Sequence, residues 1–299
     1  MRRLRVFAAT LLGAALVSGT LADRPPRLEP LTLGGYRVLA ADFHTHSSMW
    51  SDGALTPWGL VLEARRQALD VIAVTGHNAT LDGQIASRFA QVFGGPIVIA
   101  GEEILSDPNR YHLVALGIHD TIGFDQTAAQ AIAAVHRQGG VAIAVHPVPE
   151  TWPAFDAEAI EWLDAAEICH PLVYEHPEGQ RELEAFAARG SVAAIGSSDF
   201  HGTGRMGLCR TFVFVREATA AGVLDALRAH RTIVFGRDGK AHGDPSLVRV
   251  AANDPRLLAN ARTWERVTAI DWISRLSGIV GLAAIAAIMI VRDGSAIGS

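Results

Sequence analysis

The segment RVLAADFHTHSSMWSDG, residues 37–53, joins a strand pattern to a candidate metal-binding motif. Residues 37–43 form a short, mostly apolar run, which is typical of a strand buried on both faces. His44 and His46 follow it, and residues at this spacing in an extended chain point to the same side. Neutral imidazoles are common metal ligands. A lone pair of this kind is a weak signal, so its meaning depends on the rest of the chain.

The pattern of a short apolar run followed by a helical stretch recurs along residues 37–245. Alternating strands and helices predict an α/β domain with a mostly parallel sheet, and seven or eight units indicate a barrel or a distorted barrel. Thr56 before Pro57, and Thr127 farther on, mark the starts of two intervening helices. The predicted strands are 37–43, 71–76, 97–101, 112–118, 141–146, 164–169, 192–197 and 211–215.

Histidines and acidic residues gather at the ends of these predicted strands. Any single histidine is more often a core or loop residue, but chance would scatter the set over helices and both strand ends. The carboxyl ends of the strands form the face on which barrel active sites are built. His170 also follows a predicted strand, and its role stays open. The nine candidate ligands are His44, His46, Asp52, His77, Glu102, His112, His146, Asp199 and His201.

So many imidazoles and carboxylates exceed the four ligands of one tetrahedral metal ion, and they predict a cluster of two or three ions. Nitrogen and oxygen ligands without thiolates suit zinc, manganese or iron. Such a cluster supplies a hydroxide at neutral pH and stabilises the attacking and leaving oxygens of a hydrolysis. His77 and His201 are the candidate catalytic residues, because either imidazole could assist a leaving group. Arg205 is a candidate contact for an anionic group of the substrate.

The motifs HTHSSMWSDG, TGHN, GEE and SSDFH, in this order and spacing, resemble those of the PHP (polymerase and histidinol phosphatase) family. The resemblance covers about residues 37–240. It implies a distorted seven-stranded β/α barrel with a trinuclear metal site at its mouth, and phosphoester hydrolysis as the activity. It also implies that His44, His46, Glu102 and Asp199 hold one metal, that Glu102 bridges to a second held by His112 and His146, and that Asp52, His77 and His201 hold a third.

One residue departs from the family pattern. Family members commonly carry TDHD or TDHN, whereas this chain has Gly76 between Thr75 and His77. The missing acid removes a partner that would orient a metal ligand, and such partners tune the metal. This departure favours a second hypothesis, a catalytically weak, metal-stabilised binding or sensor domain. Within the enzyme hypothesis, a carboxyl or carbamate ester is the alternative substrate, because similar exported metallohydrolases cleave a carbamate.

Composition narrows the set of partners. The chain has 299 residues, 49% of them hydrophobic and 19% charged, which excludes a disordered protein. Its net charge of -5 argues against binding long nucleic acid. Two cysteines exclude a disulfide scaffold. We therefore expect a small-molecule ester substrate, such as a nucleotide or a sugar phosphate.

Both ends of the chain are apolar. Residues 1–22 combine three early arginines with an uncharged stretch, as a signal peptide or signal anchor does. Residues 272–292 are long enough to cross a membrane, and residues 246–271 are predicted to be a juxtamembrane linker. Because the first apolar segment usually sets orientation, the body is expected on the exported, periplasmic face of the membrane, held by a single-pass tail anchor.

Overall fold

The computed structural model describes residues 2–22, 29–106, 110–148, 150–171, 178–189, 191–236, 238–261 and 269–296. These residues form two units, one made of the terminal segments 1–24 and 265–299 and the other of residues 25–264. The strands are β1 Leu31–Leu33, β2 Tyr36–Asp42, β3 Val71–His77, β4 Ile97–Ser106, β5 Tyr111–Leu116, β6 Val141–Ala144, β7 Ala165–Cys169, β8 Ala193–Gly196, β9 Thr211–Val215, β10 Thr232–Phe235 and β11 Ala241–Gly243.

The helices lie between the strands and at the two ends of the chain. A short 3₁₀ helix covers Trp152–Ala154. The α-helices are α1 Arg2–Ala22, α2 Pro57–Arg66, α3 Leu81–Phe93, α4 Ala128–Arg137, α5 Ala157–Trp162, α6 Gly179–Ala187, α7 Ala220–Arg228, α8 Pro245–Ala251, α9 Pro255–Asn260 and α10 Ala269–Ala296.

Two predicted helix starts are confirmed. The side chain of Thr56 accepts a hydrogen bond from the backbone N–H of Gly59 at 3.2 Å, and Pro57 opens the helix behind it. Thr127 and Gln130 cap α4 reciprocally. These bonds satisfy amide groups that a helix leaves unpaired at its first turn.

The strands form one sheet in the order β11-β10-β9-β2-β3-β4-β5-β6-β7-β8, with β1 paired to β2. The predicted distorted barrel is confirmed, because β8 returns to the start of the sheet and nearly closes it. Gly196 of β8 donates its N–H to the Thr211 hydroxyl at 2.8 Å, and that hydroxyl donates to the Gly196 carbonyl at 2.7 Å. A side chain at Gly196 would collide with the Cys209 carbonyl, so only glycine allows this approach.

The prediction of a mostly parallel sheet is wrong. Among the described pairings, β2-β3, β3-β4, β6-β7 and β7-β8 are parallel, and the other six are antiparallel. Only residues 107–110 separate β4 from β5, and parallel strands need a crossover of a dozen or more residues. Consistent with this, β5 runs opposite to β4.

Alternate residues of the strands face the barrel interior, where Leu39, Ala41 and Val71 pack with Ile99. Residues of the opposite parity pack under the surrounding helices. One such layer lies beneath α4 and α5 and includes Ile104. This alternation decides which side chains at the strand ends face the barrel mouth.

The domain extends beyond the predicted bounds of 37–245. Leu31 of β1, Leu247 of α8 and Leu257 of α9 are buried in the same apolar cluster. Asn260 accepts a hydrogen bond from the buried guanidinium of Arg210 at 2.9 Å. The first part of the predicted linker 246–271 therefore belongs to the domain, and residues 262–268 lie outside the described residues.

The terminal unit consists of α1 and α10, which pack against each other. The Ser274 hydroxyl donates to the Ala15 carbonyl at 2.7 Å, and Gly278 lies beside Ala15. By length and composition, Arg2–Thr20 and Ala269–Ile290 could each cross a membrane. The helical form of both apolar ends agrees with the sequence, and the crossing itself stays a prediction.

Candidate metal centre

The His44–His46 segment is held from both sides at the barrel mouth. The hydroxyl of Thr45 donates to the Ala73 carbonyl of β3 at 2.6 Å. On the other side, the His46 N–H donates to the Phe200 carbonyl at 2.9 Å. The segment therefore bridges the end of β3 and the stretch after β8, and both imidazoles are fully buried.

Four buried side chains form what we call the inner group: His44, His46, Glu103 and Asp199. Asp199 Oδ1 lies 3.4 Å from His44 Nε2 and 3.0 Å from His46 Nε2. Glu103 Oε2 lies 3.4 and 3.5 Å from the same two nitrogens. Ligand atoms around a tetrahedral ion with bonds of about 2.1 Å are separated by about 3.4 Å. The inner group therefore has the spacing of a metal site.

The other oxygen of Glu103 faces a second pair of histidines. Glu103 Oε1 lies 3.2 Å from His112 Nδ1 and 3.2 Å from His146 Nε2. His112 is near the start of β5, yet it reaches the mouth because β5 runs antiparallel to β4. One carboxylate can thus bridge two ions.

Three side chains that are more exposed than the inner group form what we call the outer group: Asp52, His77 and His201. Asp52 Oδ1 lies 3.0 Å from His201 Nε2 and 3.7 Å from His77 Nε2. His77 Nε2 is also 3.3 Å from Glu103 Oε2, which links this group to the inner one. The side chains of Asp52, His77 and His201 are 68%, 27% and 30% exposed, whereas those of the inner group are at most 9% exposed.

The prediction that Glu102 is a ligand is wrong, and the adjacent Glu103 takes that place. Glu103 has the same parity along β4 as Ile99, which faces the barrel interior, whereas Glu102 shares the parity of Ile104, which faces the helices. Glu102 Oε1 accepts the N–H of Ile122 at 2.7 Å. It anchors the loop after β5 and takes no part in the ligand cluster.

Sequence reasoning missed Glu167, which lies behind the inner group. Its Oε1 is 3.2 Å from His44 Nδ1, and its Oε2 accepts the N–H of His146 at 2.5 Å. A carboxylate at Nδ1 keeps the proton there and leaves Nε2 of His44 free to bind a metal. The sequence signal for the supporting role of Glu167 is an acidic residue inside the apolar run 164–169.

His170, left open by the sequence, joins the cluster. It is fully buried, and its Nε2 lies 3.5 Å from Asp199 Oδ2. Asp42 also supports the site, since its carboxylate accepts the N–H groups of Ser198 and Gly207 at 3.1 and 2.8 Å. These bonds fix the stretch that carries Asp199.

Two candidate ligands have a strained backbone. Asp199 has a φ of 50° and His146 a φ of 27°, both in the left-handed region that favours glycine. Such strain clusters at functional sites, where the surrounding structure maintains it.

The charges of the cluster favour a bound cation. Burial opposes ionisation of Glu103, but His44, His112 and His146 outweigh it and hold the pKa of Glu103 well below its usual value. Burial lowers the pKa of His46 to about 4, so this imidazole is neutral at pH 7. For His44, burial is outweighed by Asp199 and Glu103, which raise its pKa. Carboxylates that attract a proton to this nitrogen attract a divalent ion in the same way.

The donor atoms fit divalent metals. Within the described part of the chain, His44 Nε2, His46 Nε2 and Asp199 Oδ1 are buried and lie near one another without a well-aligned hydrogen bond. Burying such polar atoms without partners is costly, and coordination to an ion would remove that cost. The converging donors are imidazole nitrogens and carboxylate oxygens without sulfur, a set that suits zinc, manganese or iron.

Of the nine sequence-predicted ligands, the structure brings eight together and separates Glu102 from them. Arg205 is half-buried in the loop after His201, and its role stays a prediction.

Residues 178–232 match a family model described as PHP-associated. The chain is 27% identical over 119 residues to an uncharacterised protein of Methanocaldococcus jannaschii, covering 36% of this chain and 68% of the relative. A two-domain protein of Bacteroides vulgatus, described as containing a predicted PHP-like metal-dependent phosphoesterase, superposes with a TM-score of 0.60 and 23% identity, covering 76% of this chain and 72% of that one. An amidohydrolase from Chromobacterium violaceum aligns with a TM-score of 0.47 and 18% identity, over 65% of this chain and 97% of that one.

Proposed function

We propose that this chain is a PHP-domain, metal-dependent hydrolase that cleaves ester bonds, with phosphoesters as preferred substrates. The match of residues 178–232 to the PHP-associated model and the shared fold support the proposal. The observation that carries the proposal is Glu103, whose two oxygens face five histidines and so connect all the ligand groups. A carboxylate shared in this way is suited to hold two or three ions close together.

Divalent ions held by the inner and outer groups would supply a hydroxide nucleophile at neutral pH and would stabilise charge on the reacting oxygens. The chain's own residues orient the side chains that would hold these ions. Glu167 and the Ser51 hydroxyl, 2.9 Å from His46 Nδ1, fix the inner imidazoles. His201 donates from Nδ1 to the Asp199 carbonyl at 2.8 Å, which turns Nε2 toward Asp52 at the exposed rim. In this proposal His77 and His201 assist a leaving group at the rim through the ion that they and Asp52 would hold.

The phosphoester preference rests on the fold shared with the Bacteroides vulgatus protein and on Arg205, which follows the outer group in sequence. A guanidinium pairs well with phosphate oxygens. The net charge of -5 supports a small substrate, such as a nucleotide or sugar phosphate, over long nucleic acid.

The test uses the full-length protein in detergent. Hydrolysis of aryl phosphate mono- and diesters is compared with that of an aryl carboxylate and an aryl carbamate, with and without a chelator. We expect phosphoester cleavage that the chelator abolishes and that Glu103→Gln removes, while Glu102→Gln retains it. Cleavage of the carbon esters alone would replace the phosphoester assignment with the carboxyl or carbamate ester alternative. Failure to hydrolyse any of these substrates, with metals bound, would favour the binding or sensor domain.

We further propose that α1 is retained as a signal anchor and pairs with α10 in the membrane. The Ser274–Ala15 hydrogen bond supports this, because a hydroxyl and small residues at a helix contact are typical of packing in lipid. Both termini would then lie in the cytoplasm, and the domain between them on the exported face. Intact mass of the membrane-extracted protein tests retention: a mature chain that begins after Ala22 would overturn it.

A further inference from the structure

Gly76 lies between Thr75 and His77 and contributes no side chain to the end of β3. A Cβ atom built on Gly76 would lie 2.6 Å from Oδ2 and 2.7 Å from Oδ1 of Asp82. Asp82 is fully buried in the first turn of α3. Its carboxylate therefore fills the space into which a side chain at position 76 would project.

Local packing explains how Asp82 reaches this place. The next residue, Gly83, lies so close to the sheet that a Cβ there would be 2.7 Å from the Val74 carbonyl and 2.9 Å from the Ala100 Cα. Glycine at this position lets the start of α3 rest directly on β3 and β4. A larger residue would push the helix away and withdraw the Asp82 carboxylate from Gly76.

Asp82 also contacts the loop that supports the outer group. Its Oδ2 accepts the Ser47 hydroxyl at 3.1 Å, and its Oδ1 accepts the N–H of Gly83 at 3.0 Å. The Ser47 carbonyl accepts the N–H of Gly53 at 3.1 Å, which closes the loop that carries Asp52. The carboxylate thus lies between this loop and the strand end that bears His77.

We propose that Asp82 is a positioning residue for the outer group, its carboxylate filling from α3 the space that a side chain at position 76 would occupy. It acts through Ser47 on the Asp52 loop and through its position against Gly76 on the end of β3. This inference rests on the proposed metal centre, and its test does not depend on turnover.

The test measures zinc binding to the metal-stripped full-length protein by calorimetry, for Asp82→Ala, Gly76→Asp and the double variant. We expect Asp82→Ala to weaken zinc at the outer group by about 10- to 100-fold, as loss of a ligand-orienting partner does, while the inner group still binds. Gly76→Asp alone should also weaken it, because two carboxylates would compete for one space. The double variant should recover affinity to within a few-fold of the parent.

Unchanged outer-group affinity in Asp82→Ala would overturn the proposal. A double variant no better than Asp82→Ala, with the inner ions bound and the cooperative melt retained, would also overturn it. Asp82→Asn keeps the size of the side chain and guards against a folding defect. It should bind zinc with an affinity between those of the parent and Asp82→Ala. If no substrate is hydrolysed by any variant, the proposed activity fails while the zinc titrations still decide the role of Asp82.

Discussion

The inner and outer groups use the same kinds of side chain in opposite environments. His44, His46 and Glu103 are buried almost completely, whereas Asp52 is mostly exposed. Outer-group atoms are accessible to water, whereas inner-group atoms are not. In the proposed metal centre, the inner group should therefore hold its ions more tightly than the outer group, which should bind and release an ion at the surface.

The largest expected effect comes from removing the carboxylate that joins the two groups. Glu103→Gln should strip most of the metal and lower turnover by about 10³-fold or more, since several kcal/mol of charge stabilisation depend on the ions. Metal content by elemental analysis and hydrolysis rates measure this. Glu102→Gln is the matched control, one residue away, and should keep both. Metal loss in the Glu102 variant alone would reverse the assignment of the two carboxylates.

A smaller effect is expected from breaking the outer group alone. His77→Ala should remove one ion per chain and lower turnover by about 10²-fold, in the range of losing one acid–base or ligand group. Inner ions and the melting temperature should be retained, because His77 lies at the rim. Normal metal content together with normal turnover would exclude His77 from the site.

A comparison of Glu102 with Glu103 shows how the histidines change the pKa of a buried carboxyl. Both carboxyls are buried, but burial raises the pKa of Glu102 to about 7, only partly opposed by the Ile122 N–H, whereas the histidines lower that of Glu103. Because the pKa of Glu102 is higher in the folded chain than in the unfolded chain, the unfolded chain releases the carboxyl proton at a lower pH. The free energy of unfolding therefore falls as pH rises from about 4.5 to about 7. Glu102→Gln should remove this loss and be more stable than the parent at pH 8, by about 1–3 kcal/mol.

Denaturant unfolding of parent and variant at pH 5 and pH 8 measures the difference. The advantage of the variant should grow with pH. An advantage that is equal at both values would show that the buried carboxyl of Glu102 is not the cause.

The smallest expected effect is at the boundary between the groups. Ser51 lies in the outer loop, yet its hydroxyl contacts Nδ1 of His46. Ser51→Ala should weaken metal at the inner group by about tenfold, at the low end for loss of a ligand-orienting hydrogen bond. Ser48→Ala, at an exposed site on the same loop, is the control and should bind zinc as the parent does. Equal zinc affinities of Ser51→Ala and Ser48→Ala would show that the Ser51 hydroxyl does not position His46.

The sequence predicted the ligands whose positions depend on strand ends alone. His44, His77, His146 and Asp199 follow buried apolar runs, and the barrel brings the ends of those runs together. A strand that ends at residue 101 favours Glu102 as the ligand at its end. β4 continues to Ser106, and counting alternate residues from Ile99 selects Glu103.

Other features depend on contacts between distant segments. The placement of Asp82 against Gly76 follows from how closely α3 packs on the sheet, which Gly83 permits but no local pattern reveals. The short elements β10, β11, α8 and α9 carry too few residues for a clear periodicity. Antiparallel pairing of β4 with β5 was readable from the short loop between them.

The pairing of β2 with β9 makes the proposed metal centre depend on segments that are far apart in the chain. β2 leads directly into His44 and His46, yet it is bound along its other edge by residues 211–215, which are synthesised far later. Asp199 and His201 also come late. A chain that ends before Asp199 lacks part of the inner group, and a chain that ends before residue 211 lacks the strand that supports β2. On the proposed export of the domain, the compartment in which these late segments fold would supply the ions of the proposed metal centre.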